Sequence, residues 1–489
     1  MDRFPGHLAA GSAALLLLLP FVLDCGEESL KDNRGAEPSS LASTTVSSSS
    51  TTATSSSELG AGRVRDDVRR MLREMDEDNV EHTIRKLVSF GTRNTLSAQD
   101  NPTRGVGAAR DWLKAQFDAI AATSGGRMNV ELLSYVQPPA SRIPVPTTIT
   151  DVVATLRGTQ AESQGRTYVV SGHYDSMCTD PTNATCDAPG ADDDASGVAA
   201  VLEMARVMAT RTFDATIVFM AVAGEEQGLY GSNFFATTAK AAGRDIAGMF
   251  TNDIVGSSRA DNGERDPRVV RVFAEGVPTA ETPAEANVRR SVGGENDSPS
   301  RQLARFIKEA GENSATGMRV HIMYRRDRYL RGGDHIPFLQ QGYAAVRFTE
   351  PHEDYAHQHQ NVRVEDGKQF GDLPEFVDFA YTTRVARVNA AALTALARAP
   401  AAPKGVQIVT ARLTNDTELR WEPNVEPDLA GYEIVFRETT EPLWTDTIEV
   451  GKETSFTVKN MSKDNVFFGV RAVDREGHRS PVTFPRPSQ

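Results

Sequence analysis

Cysteine is scarce in this chain: 489 residues carry three, at positions 25, 178 and 186. No scaffold of many disulfides can be built from them, and no obvious catalytic thiol stands out. Basic residues are outnumbered, 53 Lys and Arg against 66 Asp and Glu, for a formal net charge of -13. Phosphate backbones bind basic surface, so nucleic acid is excluded as the default partner, although a local basic pocket is not. After residue 25 there is no apolar run long enough to cross a bilayer, and no long-range internal repeat. What remains is the composition of a soluble globular protein, 39% apolar and 24% charged, with length for two or three domains.

Residues 1–25 read as an export signal. Arg3 gives a weak positive start, and the uncharged run from Leu8 to Leu23 is short for a membrane span. Cys25 follows at once, where lipid-anchored bacterial proteins carry their modified cysteine, but Asp24 stands where a small residue is usual. A lipid anchor at Cys25 and plain secretion are therefore both expected outcomes of export. Residues 26–60 are dominated by Ser and Thr, cannot bury a core and read as a disordered linker. Cys178 and Cys186 flank one polar loop; in an oxidising compartment they would pair, and otherwise they are two free loop thiols.

Between residues 61 and 399, helical and strand-like patterns alternate. VRDDVRRMLREMDEDNVEHTIRKLVSF has helical spacing without Gly or Pro. TYVVSG, TIVFMAVAG, IAGMFTND, RVVRVFA and YAAVRF read as strands. ASGVAAVLEMARVMA, LYGSNFFATTAKAA, RQLARFIKEA and a long segment near Phe376 to Ala397 read as helices. This alternation predicts an α/β fold, a three-layer sandwich around a mostly parallel central sheet. APAAPKG at 399–405 marks a boundary. The segment 404–486 is rich in short strands and turn signals, which predicts a C-terminal all-β sandwich. Trp421, the strand around Tyr432 and VRAVDREGHRS resemble a fibronectin type III module, with Val466, Phe468, Val470 and Ala472 facing its core. Val466 stands where that family usually has a tyrosine.

Four acidic or histidine motifs fall at strand ends or helix starts: SGHYDS, PGADDDASG, AGEEQG and TNDIVG. Ligands of open parallel sheets bind outside the carboxyl ends of the strands, so the four should converge on one cleft. Taken singly, Asp175 and Asp194 are equally well turn or capping residues, Glu225-Glu226 a solvated helix start, and His173 a core histidine. Together they assemble carboxylates whose mutual repulsion a cation relieves. Nitrogen and oxygen donors suit Zn²⁺, with Mn²⁺ or Co²⁺ as substitutes, and more than three carboxylates exceeds the need of one catalytic ion.

In these motifs the chain resembles family twenty-eight of the metallopeptidases, which includes secreted zinc aminopeptidases and glutamate carboxypeptidases. The resemblance runs over about residues 64 to 397, through His173-Tyr174-Asp175, Ala191 to Gly197, Glu225-Glu226, Asp253 and GGDHIPFLQQGYAAVRF. It implies two Zn²⁺ ions per chain. His173 and Asp253 would bind one, Glu226 and a late histidine the other, and Asp193 would bridge them. Asp175 would orient His173, Glu225 would be the general base, and the Asp193-Asp194 peptide would be cis. The late histidine lies in EPHEDYAHQHQNVR. His357 fits best, with Asn361 four residues on where the family has Asp; His359 and His352 are the rivals.

The resemblance thus implies hydrolysis of peptide bonds in peptides or proteins, most simply by an aminopeptidase. Tyr324 or Tyr329 would assist at the oxyanion. The arginines of YRRDRYLRGGDH, a solvated loop or a pocket for carboxylates, keep a carboxypeptidase of the glutamate carboxypeptidase type open. DHIPFL also resembles glutaminyl cyclases, acyltransferases that share the fold and use a single zinc. The C-terminal sandwich reads as a binding or spacing module with an unknown ligand, whose removal should spare hydrolysis of small peptides.

Overall fold

In the computed structural model, which describes residues 65–488, eight strands form one sheet. They are β1 (Met128–Gln137), β2 (Thr147–Leu156), β3 (Arg166–His173), β4 (Thr216–Val222), β5 (Asp245–Asn252), β6 (Val269–Phe273), β7 (Arg319–Met323) and β8 (Ala345–Thr349). Their order across the sheet is β1-β2-β4-β3-β5-β8-β6-β7. The central four, β4-β3-β5-β8, run parallel, as do β6 and β7. Antiparallel pairing adds β1 and β2 at one edge and joins β6 to β8. The expected export signal, Cys25 and the whole linker lie outside the described residues.

Strand periodicity sets the layers. In β4, Ile217, Phe219 and Ala221 enter one apolar cluster, while Val218, Met220 and Val222 enter another on the opposite face. The first cluster is covered by helices Glu77–Val88, Val106–Ala122, Ala195–Met208, Pro299–Gly311 and Phe379–Arg398. The second is covered by Tyr230–Ala241 and His335–Gln340. β3 and β4 are buried along their whole length, as strands covered on both faces must be. The helical spacing before Phe90 resolves into two helices, Asp66–Arg73 and Glu77–Val88. Asp76 divides them: its backbone is extended and its side chain accepts the Asp78 N–H, which caps the second helix.

Beyond Ala399 stand a four-stranded and a three-stranded sheet. Leu419, Trp421, Tyr432, Ile434, Phe468, Val470 and Ala472 are buried together, with Val466 packed at the margin. Trp421 meets Tyr432 edge-on at 5.4 Å. Charged groups lock these sheets to the α/β body. Asp297 is held between Arg305 (2.9 Å) and Arg437 (2.7 Å), and Glu426 binds Arg166 at 3.1 Å. The Trp444 indole N–H donates to Gln302 at 2.9 Å. Among the described residues no helix is long and apolar enough to cross a membrane.

Candidate metal centre

The strand ends bring the four motifs to one place. β3 ends on His173, and the chain turns so that Asp175 lies against the ring: Nδ1 is 3.1 Å from the Asp175 backbone oxygen and 3.5 Å from its Oδ1. Asp175 also accepts the Thr95 hydroxyl at 3.0 Å and the Glu226 N–H at 3.2 Å. One buried carboxylate thus fixes both the imidazole and the turn that carries Glu225 and Glu226. Asp194 caps the helix Ala195–Met208 by accepting the Gly197 N–H at 3.0 Å, while its other oxygen accepts the His173 N–H at 2.9 Å. Glycine is required at 197, where a Cβ would stand 2.0 Å from the Asn252 carbonyl oxygen. After β4, Gly224 turns with φ 77° into the single helical turn Glu225–Gly228, a backbone conformation that favours glycine. Asp253 follows β5. The peptide bonds Asp193-Asp194 and Asp253-Ile254 are both cis.

Side-chain atoms then meet. His173 Nε2 is 3.1 Å from Asp193 Oδ1, and His359 Nε2 is 2.9 Å from Asp193 Oδ2 and 3.2 Å from Glu226 Oε2. Donor atoms of His173, Glu225 and Asp253 lie within 4.8 Å of one another, as do those of His173, Asp193 and Glu226. His173 is common to both groups, and Asp193 turns one oxygen to His173 and the other to His359.

The late histidine in this cluster is His359, not the expected His357. His357 lies in a tight turn, where its N–H donates to the Asp354 carbonyl. Its ring stacks on Phe376 at 3.6 Å, and its Nδ1 is 3.4 Å from Asp354 Oδ2. His359 adopts φ 52°, a left-handed conformation that carries its ring to Asp193 and Glu226. Spacing relative to Asn361 pointed to His357, whose ring is instead held by Phe376, a residue from a later segment that local spacing does not register. Neither proposed oxyanion tyrosine reaches the cluster either. The Tyr324 hydroxyl donates to the Pro442 carbonyl at 3.1 Å, and Tyr329 is exposed beneath Arg325.

The electrostatics of the cluster are those of crowded acids. Burial pulls the His359 imidazole down, but Glu226 and Asp193 overcome it and push its pKa up to about 11. Burial would raise Asp193; instead His359 and His173 hold it well below the ordinary carboxylate range. Glu225 is pushed well above that range by desolvation, which His173 opposes, and by Asp253, Glu226 and Asp334. Glu226 Oε1 is buried and has no hydrogen-bond partner among the described residues. A cation fits this set: oxygen and nitrogen donors, an unsatisfied buried carboxylate oxygen, and imidazoles that compensate only part of the negative charge.

Three buried groups that support the cluster were not read from the sequence. Asp372 accepts the N–H groups of Asp192 at 2.8 Å and Asp193 at 2.7 Å. Arg347, fully buried on β8, donates to Asp253 Oδ1 at 2.7 Å and to the Asp253 carbonyl oxygen. Gln358 donates to Asp193 Oδ2 at 3.0 Å. Arg347 carried a signal, since a charged residue in an apolar strand requires a buried partner. Asp372 carried none that local pattern could reveal. Cys178 and Cys186 form a disulfide, S–S 2.13 Å.

The model of Peptidase family M28 matches residues 151–366, a span that includes all four strand-end motifs and His359. A probable zinc metalloprotease of Pyrenophora tritici-repentis is 52% identical over 424 residues, covering 86% of this chain and 87% of its own. Another, of Leptosphaeria maculans, is 51% identical over 433 residues, covering 88% of this chain and all of its own. Among solved structures, the Legionella pneumophila LapA aminopeptidase is 19% identical with a TM-score of 0.47, covering 67% of this chain and 75% of that one. With half of its residues shared with such relatives over most of their length, the chain belongs to peptidase family M28 and is a metallopeptidase.

Proposed function

We propose that this metallopeptidase is an exported exopeptidase that uses two zinc ions per chain, and that it acts as an aminopeptidase. The observation that carries the reading is the meeting of His173, Asp193, Glu225, Glu226, Asp253 and His359 at the carboxyl edge of the parallel strands. Zinc is supported by the donor types and by the relatives described as probable zinc metalloproteases. His173 and Asp253 would hold one ion, Glu226 and His359 the other, with Asp193 shared between them.

When bound, such ions supply Lewis acidity and lower the pKa of water toward about 7. The protein supplies the rest. Asp175 holds the His173 ring through Nδ1, so that Nε2 faces Asp193. Arg347 fixes one oxygen of Asp253, and Asp372 fixes the backbone of Asp193. Glu225 is left as the proton carrier: half-buried and with its pKa raised, its carboxylate takes a proton from the attacking water and returns it to the leaving amine. The crowd of carboxylates favours a substrate that presents a free, positively charged amino group beside them.

Export is supported by the Cys178–Cys186 disulfide, which an oxidising compartment maintains. The C-terminal sheets, with Trp421 packed on Tyr432, support a sandwich of fibronectin type III type.

Metal content and turnover, measured on the same preparation, test the reading. Two zinc per chain and hydrolysis of aminoacyl-anilides but not of N-acylated peptides are expected. Glu225→Gln should keep its zinc and lose turnover; a variant with near-normal activity sinks the assignment of the base. One zinc with cyclisation of N-terminal glutamine would favour the cyclase alternative instead.

A further inference from the structure

A cavity of about 520 Å³ opens beside the metal centre, and His359 lines both. Its wall carries four arginines, Arg271, Arg325, Arg328 and Arg331, against one acid, Glu353. Three of the guanidiniums converge on that single carboxylate: Arg331 at 2.6 Å, Arg328 at 3.2 Å and Arg271 at 3.2 Å. Glu353 is nearly buried and held below the ordinary carboxylate range despite burial, by Arg328 and Arg331 first. It is therefore ionised at neutral pH and neutralises one charge of the four. Arg325 makes no side-chain ion pair or hydrogen bond among the described residues; its guanidinium lies 3.9 Å over the Tyr329 ring, exposed to the cavity.

Asp327, 3.4 Å from Arg328, offsets part of a second charge, yet the surplus of arginines in one concavity is unusual in a chain whose net charge is -13. A solvated surface loop spreads like charges apart. Here they are gathered around a half-enclosed space in which their attraction for an anion is screened less than on open surface. The cavity is also wired to the chemistry. Arg331 donates to Gln358 Oε1 at 3.2 Å, and Gln358 donates to Asp193 Oδ2 at 3.0 Å, so the arginine wall lies two hydrogen bonds from the shared carboxylate. On the other side, Arg347 links the Gly332 carbonyl of the arginine-rich segment to Asp253.

We infer that this cavity is a specificity subsite for a carboxylate of the substrate, with Arg325 and Arg331 as its receiving groups. The inference rests on the exopeptidase reading above and names its substrate class. A substrate carboxylate that reaches this cavity has two sources: an acidic side chain, or the C-terminal carboxylate of a very short peptide. Guanidinium groups bind either by the same paired N–H donation. Tyr329 and Tyr355 flank the space and hold Arg325 and Arg331 by cation–π contact, at 3.9 and 5.6 Å.

The test compares the zinc-loaded wild type with Arg325→Gln on four substrates: glutamyl- and leucyl-4-nitroanilide, leucyl-glycine and leucyl-glycinamide. An acidic side-chain site gives a preference for glutamyl over leucyl anilide that falls about tenfold or more in the variant, the worth of a lost charge-assisted hydrogen bond. A C-terminal carboxylate site gives the same fall in the preference for leucyl-glycine over its amide. Arg325→Lys should retain part of either preference, and added salt should weaken both. Cleavage with no carboxylate preference, or with a preference that Arg325→Gln leaves intact, overturns the inference and leaves the exopeptidase reading standing. If no free-amine peptide is cleaved, the exopeptidase reading fails, and calorimetric binding of N-acetyl-glutamate to wild type and Arg325→Gln decides the subsite separately. Equal affinity, or none, overturns it.

Discussion

His357 and His359 differ by one residue in between and by everything in environment. His359 faces Asp193 and Glu226, whereas His357 lies flat on Phe376. His359→Ala should therefore release part of the bound zinc and cut kcat/KM by at least ~100-fold, the scale on which even residues behind metal ligands matter. His357→Ala should keep the metal and lose about 1 kcal/mol of stability with its stacked ring. Metal analysis of the two purified variants checks the assignment, and zinc loss from the His357 variant alone would reverse it. Asp327 gives a second prediction. Burial raises its pKa, but Arg347, His335 and Arg328 prevail and hold it at about 2. A folded pKa below the unfolded value of about 3.9 stabilises the protein above pH 4, and the gain is lost as pH falls toward 2. By linkage, at about 1.36 kcal/mol per pKa unit, the gain is about 2.5 kcal/mol. Urea titrations of metal-free protein at pH 5 and pH 2.5 should show Asp327→Asn lacking that part of the acid loss; parallel curves would refute it.

Among the elements, the loop from Cys178 to Cys186 shows how covalent and polar ties combine. Its Pro181 carbonyl accepts both the Asn94 side-chain amide at 3.0 Å and that of Gln227 at 3.1 Å, so the loop leans on the turn that carries Glu225 and Glu226. The disulfide closes a short loop, worth about 2 kcal/mol in chain entropy. Cys186→Ser should lower stability by that amount in a urea titration and raise KM more than it lowers kcat. An unchanged midpoint would show that the polar ties suffice. The split of the first helical stretch at Asp76 belongs to this scale too. Unbroken helical spacing concealed a capping residue whose carboxylate favours the next helix start over continuation.

At the scale of the whole molecule, the C-terminal sheets are part of the body rather than an appendage. Asp297, Arg305 and Arg437 are almost completely buried at the junction, and Arg166 with Glu426 likewise. Tyr324, at the root of the arginine-rich segment, bonds the Pro442 carbonyl from the C-terminal side. Removing residues 404–488 would leave buried charges without partners, each worth several kcal/mol. The sequence alone suggested that removal spares hydrolysis; the buried ion pairs predict instead that truncated protein is poorly soluble or unfolded, and that Arg437→Ala in the full chain costs about 3 kcal/mol. Thermal unfolding of both decides it; a truncated protein that melts like the full chain would contradict the role of the junction.

Local pattern sufficed for the parallel core. Apolar runs such as TYVVSG and TIVFMAVAG, the helices between them, and carboxylates at their ends made the fold and five members of the cluster legible. It did not suffice for β1, whose half-exposed edge lacks the apolar run of a central strand, or for β2, a buried strand whose apolar run is broken by Thr and Asp. Nor did it suffice for Asp372, Arg347 and His359, or for Arg271 and Glu353, which join the arginine-rich segment in one cavity. Strand-end positions follow from periodicities of two and of 3.6, which are properties of neighbours in sequence. Which histidine turns inward, and which charges share a cavity, depends on groups brought close only when distant segments pack.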